Sequence, residues 1–222
     1  MDGSDAGTLS LHGGKAGSGR GGRLTRAENA ALTRTRLFGA AIEIVGEYGY
    51  AGTTIARITE RAKVAQGTFY NYFESRQDLL EQLLPAISAR LLDHITERMQ
   101  GIGSDPVERE RCRIIAFFEF MEQTPHLFKI LHEGEVQAPS GFRRHAELQL
   151  ESYRKALMAD QRSGRIRFET EDEIEAVAEI LMGARAWLSA RYCVNDAGDI
   201  VQPPAHIVDM YMKFVTGGLF RS

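Results

Sequence analysis

What this 222-residue chain lacks already narrows what it can do. Cysteine is scarce: Cys112 and Cys193 are the only two, they form no CxxC, and they stand in no metal-ligand spacing. That removes a disulfide scaffold and a zinc module, and leaves two free thiols in a reducing cytosol as the expectation. No apolar run is long enough to cross a bilayer. The first residues lack the apolar segment of a secretory signal, so a cytoplasmic location is expected. Strand-type alternation and internal repeats are missing too, which leaves an all-α fold. No phosphate loop, dinucleotide fingerprint or nucleophile motif is found. His126, His132, Glu133 and Glu135 lie close in sequence but match neither HExxH nor another ligand spacing. Glu171-Asp172-Glu173 sits at a helix start, where acids favour the helix dipole. The expectation is no catalytic residue, no metal, no cofactor and no enzyme.

A large net charge is also missing. Lys+Arg number 27 and Asp+Glu 30, a balance of -3 that by itself argues against a general nucleic-acid binder. The distribution says more. Residues 1–76 carry 10 basic and 7 acidic side chains, and the remainder carries 17 and 23. A basic N-terminal part beside an acidic remainder fits one nucleic-acid-binding domain and one domain with another task. With 43% hydrophobic residues, the composition supports a packed core.

What is present centres on Thr53 to Leu84. Thr54 has the hydroxyl to cap a helix on which Ile55, Ile58 and Ala62 share one face. The apolar pattern stops at Lys63-Val64-Ala65. It resumes in a second short helix, expected over 66–73, with Phe69 and Phe73 one turn apart and facing inward. Ser75 then caps a third helix with the stripe Leu79, Leu80, Leu83, Leu84. Two short helices around a three-residue turn have the geometry of a helix-turn-helix, whose second helix enters the DNA major groove. The outward residues suit that task. Gln66 and Asn71 offer paired hydrogen bonds to a base edge, and Thr68 offers a hydroxyl and a methyl. Gly67 lets the backbone approach closely. Tyr70, Tyr72 and Arg76 reach phosphates, which position without specifying sequence. Thr54 and Arg57 complete the candidate DNA-binding set.

This stretch resembles the DNA-binding domain of the TetR family of bacterial transcriptional repressors. The pattern runs from Gly49-Tyr50 through Thr54, Ile58, Ala62, Val64, Gly67-Thr68, Tyr70, Tyr72-Phe73 and Arg76 to Leu79-Leu80. The likeness covers roughly residues 35–84; beyond them only the helical layout is shared. There are four departures. The family usually has Gly where Lys63 stands, so Lys63 must take a left-handed conformation or the turn differs. It usually has Ser or Thr where Ala65 stands, so the recognition helix lacks its capping hydroxyl. His is common at the place of Tyr72 and Lys at that of Arg76, and both changes keep a phosphate contact.

Around this centre, residues 1–24 are Gly- and Ser-rich and read as a disordered tail. Lys15, Arg20, Arg23 and Arg26 make its end basic, suited either to DNA or simply to solvent. Thr25 and Glu28 form a capping-box pair for an early helix. Leu37, Ala40, Ala41, Ile44, Val45 and Tyr48 follow the helical period up to Gly49. The helix opened by Ser75 continues past Pro85 through Ile87, Leu91, Leu92, Ile95 and Met99, so one long bent helix is expected. Helices follow over 106–122, 125–133, 141–161, 171–194 and 204–220.

The resemblance implies that these later helices bind a small molecule and dimerise. For the pocket the sequence supplies Phe117, Phe118, Met121, Phe128, Phe142, Tyr153, Met158 and Trp187, an adaptable aromatic and thioether set. Taken singly, each of these also reads as core. His126, His132, Arg143, Arg144 and His145 either orient a polar ligand group or lie on the surface. For dimerisation it supplies Leu181, Ala184, Leu188, Ile207, Met210, Tyr211 and Phe214, on two helices that the family pairs across a two-fold axis. The expected organisation is a 1–24 tail, a 25–75 helix-turn-helix domain and a 76–222 ligand-binding and dimerisation domain. The expected function is a homodimeric repressor that leaves a palindromic double-stranded operator when an apolar or acyl-type effector binds. The alternatives are an activator or global regulator of the same fold, or an all-helical enzyme or binding protein.

Overall fold

The computed structural model describes residues 25–124, 126–195 and 199–217. The expected basic tail at 1–24, and the end of the last helix beyond 217, lie outside them. Among the described residues the chain forms α1 (Arg26–Gly52), α2 (Ile55–Arg61), α3 (Gln66–Phe69), α4 (Arg76–Arg98), α5 (Pro106–Glu122), α6 (Leu127–Gln137), α7 (Pro139–Arg162), α8 (Glu171–Tyr192) and α9 (Ala205–Gly217). One isolated antiparallel bridge, Val194 to Ile200, is the only strand-like pairing there. No helix among them is long and apolar enough to cross a membrane.

Local chemistry sets most of the boundaries. The Thr25–Glu28 capping box is formed, and it opens one continuous α1 rather than a separate early helix. The Thr54, Ser75 and Asp105 side chains accept from the first free amides of α2, α4 and α5, and Thr170 with Glu173 forms a second capping box on α8. Gly49 breaks α1 with φ 70° and ψ 174°. Beyond that break Tyr50 is fully buried, whereas Tyr48, just before it, is exposed against the inward place its helical period implied. The expected helix over 66–73 is shorter than its apolar spacing implied: α3 ends at Phe69, and residues 70–72 are turn.

The helices build a small head and a larger body that share α4. Leu37, Ala41, Val45, Tyr50, Ile58, Phe69 and Phe73 fill the head with essentially no solvent exposure. Leu79, Leu80, Leu83 and Leu84 are as deeply buried and join that core to the body's. The helix runs through Pro85 without ending. Proline has no N–H, so the carbonyl of Glu81 loses its helical partner. Gly141 of α7 packs on that carbonyl so closely that a Cβ there would overlap it. The Glu81 carboxylate reaches across to the Gly141 amide (2.6 Å) and so caps a helix that has no capping side chain of its own. Gln77 does the matching job at the end of α6, donating to the Gln137 carbonyl (2.9 Å). Two α4 turns on from Glu81, the Ser88 hydroxyl pairs with Nδ1 of His145 on α7 (2.6 Å). Burial holds that imidazole's pKa down from 6.5 to about 4, so it stays neutral.

Two outcomes follow from the α4–α7 seam. Gly141→Ala forces a Cβ into the Glu81 backbone and should lower the thermal midpoint by several degrees. As a contrast outside the seam, Gly39→Ala on α1, whose Cβ meets nothing, should gain roughly 0.5–1 kcal/mol. Circular dichroism melts read both. Because the unfolded His145 accepts a proton near pH 6.5 and the folded one only near 4, the unfolded state binds more protons between those values. Stability should therefore fall as pH drops from 6.5 towards 4, and urea titrations should show a shallower fall for His145→Gln.

Candidate DNA interface and effector cavity

The helix-turn-helix is held from behind by arginines. Arg36 of α1 donates to the carbonyl oxygens of Ala62 and Lys63, which fixes the turn between α2 and α3. Lys63 takes the left-handed conformation there, φ 54°, the costlier of the two options for a non-glycine residue. Arg61 pairs with Glu47 (2.8 Å) and Glu43 (2.7 Å) and ties α2 to α1. Arg57 stacks on the Tyr48 ring (4.1 Å) and donates to the Gly52 carbonyl (2.6 Å). Ala65 leaves α3 without a side-chain cap.

The outward face of α3 and its turn carries Gln66, Gly67, Tyr70 and Asn71, all exposed, with Thr68 half-buried beside them. A Cβ built on Gly67 meets no protein atom within 4 Å, so the space it leaves free lies outside the fold. Thr54 is exposed and its hydroxyl accepts from the Arg57 amide. Tyr72 is half-buried and packs on the head's core. Arg76 departs from expectation. Its guanidinium donates to the carbonyl oxygens of Tyr50 and Thr53, so it is a strut across the loop after α1 instead of a group extended towards phosphate. Sequence reasoning missed Arg36 altogether, because an arginine on a polar helix face carries no sign that it will clamp a turn 26 residues away.

In the body a cavity of about 430 Å³ opens between α5, α7, α8 and α9. Apolar residues line most of it, among them Val107, Leu157, Phe168, Val177, Leu181 and Phe214, and Arg109, Arg113, Arg165 and Arg167 supply cations. Glu110 is its polar knot. Its carboxylate accepts from the hydroxyls of Tyr211 (2.5 Å) and Tyr153 (3.3 Å) and pairs with Arg113 (3.3 Å). Burial and that carboxylate push the Tyr153 phenol up to about 12, and Tyr211 is raised for the same reasons.

Of the expected pocket residues, only Tyr153 lines this cavity. Met158 lines a separate recess of about 200 Å³ with Arg154, Glu171, Asp172, Ile174 and Glu175. Phe117, Phe118 and Met121 are packed core, and Phe128 and Phe142 are half-buried against it. Trp187 is 73% exposed and lines nothing. Spacing finds an apolar face but not which part of it stays unfilled. Arg143, Arg144 and His132 are exposed, and His145 is engaged with Ser88, so the polar groups of the cavity are ones the sequence did not single out.

The expected dimer residues also divide. Leu181, Ile207 and Tyr211 are buried within the chain, and Ala184 and Leu188 are half-buried. Met210 and Phe214 are exposed, and with Ile180 and Trp187 they put four large apolar side chains on the outside of α8 and α9. Ile180 and Phe214 belong to both this face and the cavity wall.

Residues 37–83, from the middle of α1 to the leucine stripe of α4, match the family model described as bacterial regulatory proteins, tetR family. The chain carries a DNA-binding domain of the TetR family. It is similar to YvdT of Bacillus subtilis, an uncharacterized HTH-type transcriptional regulator, with 39% identity over 66 residues. That match covers 30% of this chain and 32% of YvdT, so it spans about a third of that relative's length. YdgC of the same organism, also an uncharacterized HTH-type transcriptional regulator, is 25% identical over 182 residues, 80% of this chain and 90% of its own. The fold as a whole is similar to that of the transcriptional regulator FadR from Bacillus subtilis, solved in complex with stearoyl-CoA. The TM-score is 0.69 at 17% identity, covering 84% of this chain and 99% of that one. The matched residues are those of a TetR-type helix-turn-helix, a DNA-binding domain of transcription regulators.

Arg76→Ala should behave as a stability variant first. Removing two charge-assisted hydrogen bonds should cost about 1–3 kcal/mol, read as a lower urea midpoint of the whole chain. Gln66→Ala, on an exposed position, should leave that midpoint within about 0.5 kcal/mol of the parent.

Proposed function

We propose that residues 25–75 read DNA and that residues 76–222 bind an effector and dimerise, making the protein a homodimeric repressor released from a palindromic operator. The observation that carries the DNA half is the outward face of α3: Gln66 and Asn71 exposed, with Gly67 between them opening onto space that no protein atom fills. A backbone that can approach closely, flanked by two amides, suits a base edge in the major groove. Tyr70, Thr68, Thr54, Tyr72 and Arg57 surround it as further contacts, and Arg76 acts by holding the loop beneath.

The effector half is supported by the 430 Å³ cavity, a size ordinary for small-molecule sites. Its mostly apolar wall with a few arginines suits an acyl-type compound that carries an anionic group. The structural likeness to FadR, solved with stearoyl-CoA, supports the same class. Dimerisation is supported by the exposure of Ile180, Trp187, Met210 and Phe214, four large apolar side chains that a second copy would take out of water. Since Ile180 and Phe214 serve cavity and face alike, an effector that repositions them changes how two copies pair, and with it the spacing of the two α3 helices.

The test is binding of the purified protein to the DNA flanking its own gene across a salt series. A footprint on an inverted repeat with two half-sites is expected. Gln66→Ala and Asn71→Ala should each cost about 1–3 kcal/mol and relax preference at one base position. Unaltered specificity in both variants would move the reading face elsewhere. A long-chain acyl compound should release the DNA, and sedimentation should give a dimer. A monomer that still footprints both half-sites would remove the proposed interface.

A further inference from the structure

We propose that buried Arg185 and Gln149 form the inner, carboxylate-binding end of the effector site, and that the effector is a free acid whose carboxylate lodges there. This rests on the reading of the cavity as an effector site, and it fixes which anion is taken and where.

Arg185 lies on α8, 5% exposed, with its guanidinium over the rings of Phe117 (4.1 Å) and Tyr153 (5.3 Å). Its polar partner is the Gln149 side-chain carbonyl, 3.2 Å from Nη2. Its Nε has no hydrogen-bond partner, and neither has Nε2 of Gln149, itself 2% exposed. No carboxylate among the described residues lies within ion-pair distance of Arg185. Glu110, the acid nearest in role, is committed to Tyr153, Tyr211 and Arg113. Asp160 pairs with Arg165. The other titratable groups coupled to Arg185 are Tyr153 and Tyr211, both kept protonated, and His145, which is held neutral. A buried cation therefore stands without a counter-charge, a state that proteins resolve by pairing.

The unsatisfied atoms are both donors, so the missing partner is an acceptor. Two nitrogens beside one delocalised positive charge match a planar group with two oxygens and one negative charge, which is a carboxylate. The aromatic surroundings disfavour the second charge of a phosphate. The site lies directly behind the cavity wall. Tyr153 forms part of the cavity wall and lies under the guanidinium, and Leu181, one turn before Arg185 on α8, lines the same wall. Arg185 is thus one side chain behind the cavity, and displacement of the Tyr153 ring joins the two. The acyl chain then occupies the apolar volume towards Phe168 and Phe214. The coenzyme head group of a thioester is far too large for this inner end.

The experiment is calorimetric titration of the full-length protein with straight-chain carboxylates from octanoate to palmitate, their methyl esters and their coenzyme A thioesters. The acids should bind at least about tenfold more tightly than the esters, the scale of a charge-assisted hydrogen bond. Arg185→Met should abolish that preference while leaving the esters' affinity, and its thermal midpoint should equal or exceed the parent's, since an uncompensated cation is removed. Gln149→Leu should reduce the preference in part and gives a second reading should Arg185→Met fold poorly. Equal binding of acid and ester, a preference for the thioester, or an acid preference that survives Arg185→Met would overturn the inference and leave the effector cavity standing. Failure of every acid, ester and thioester to bind would overturn both.

Discussion

Much of this molecule hangs on how one peptide unit is held. Gly49 turns the chain out of helical geometry, and the amide of Tyr50, freed by that turn, donates to the Glu133 carboxylate of α6 (2.7 Å). The carbonyl of the same residue accepts from Arg76 at the start of α4. Its ring is fully buried between them. Three helices far apart in sequence thus converge on Tyr50. A buried amide without such an acceptor would cost more than a kilocalorie, so α6 is not free to leave α1 without a replacement. The Lys129 ammonium on the Gly46 carbonyl (2.9 Å) adds a second tie along the same seam. α6 is thus tied to the end of α1, and through Arg76 and Thr53 to the loop that leads into α2.

The body has a different organising constraint, the placement of charge inside an apolar frame. Two arginines, Arg113 and Arg185, approach the ring of Tyr153 (4.8 and 5.3 Å), and a single carboxylate, Glu110, answers the first of them. Tyr153 and Tyr211 are kept protonated by burial and by that same carboxylate, so they serve as donors across the neutral range. Of the two, Tyr153 lines the cavity, so its wall carries a phenol that stays a donor near neutrality.

How much of this was legible in the sequence depends on whether the relevant partner is local. The caps of α1 and α4, the break at Gly49 and the four-leucine stripe of α4 are set by neighbours within a turn or two, and the residue pattern announces them. The head's inward and outward sets separate for the same reason. The roles of Arg36, Arg76 and Glu81 are fixed by carbonyls and amides up to 60 positions away, which no periodicity records. The pocket shows the limit most plainly. Phe117, Phe118 and Trp187 have equal claims by residue type, yet two are core and one is on the surface, because an empty volume is a property of how helices fail to meet. Pro85 is a further case. Its tolerance inside α4 becomes intelligible only once Gly141 is seen backing onto the carbonyl that proline leaves unpaired.

Trp187 is the single indole in the sequence, and it stands exposed on α8, two turns on from Ile180. Its fluorescence therefore comes from one patch of one helix and from nowhere else. The chain carries a built-in optical label whose emission shifts to the blue as soon as that patch is taken out of water, whatever takes it out.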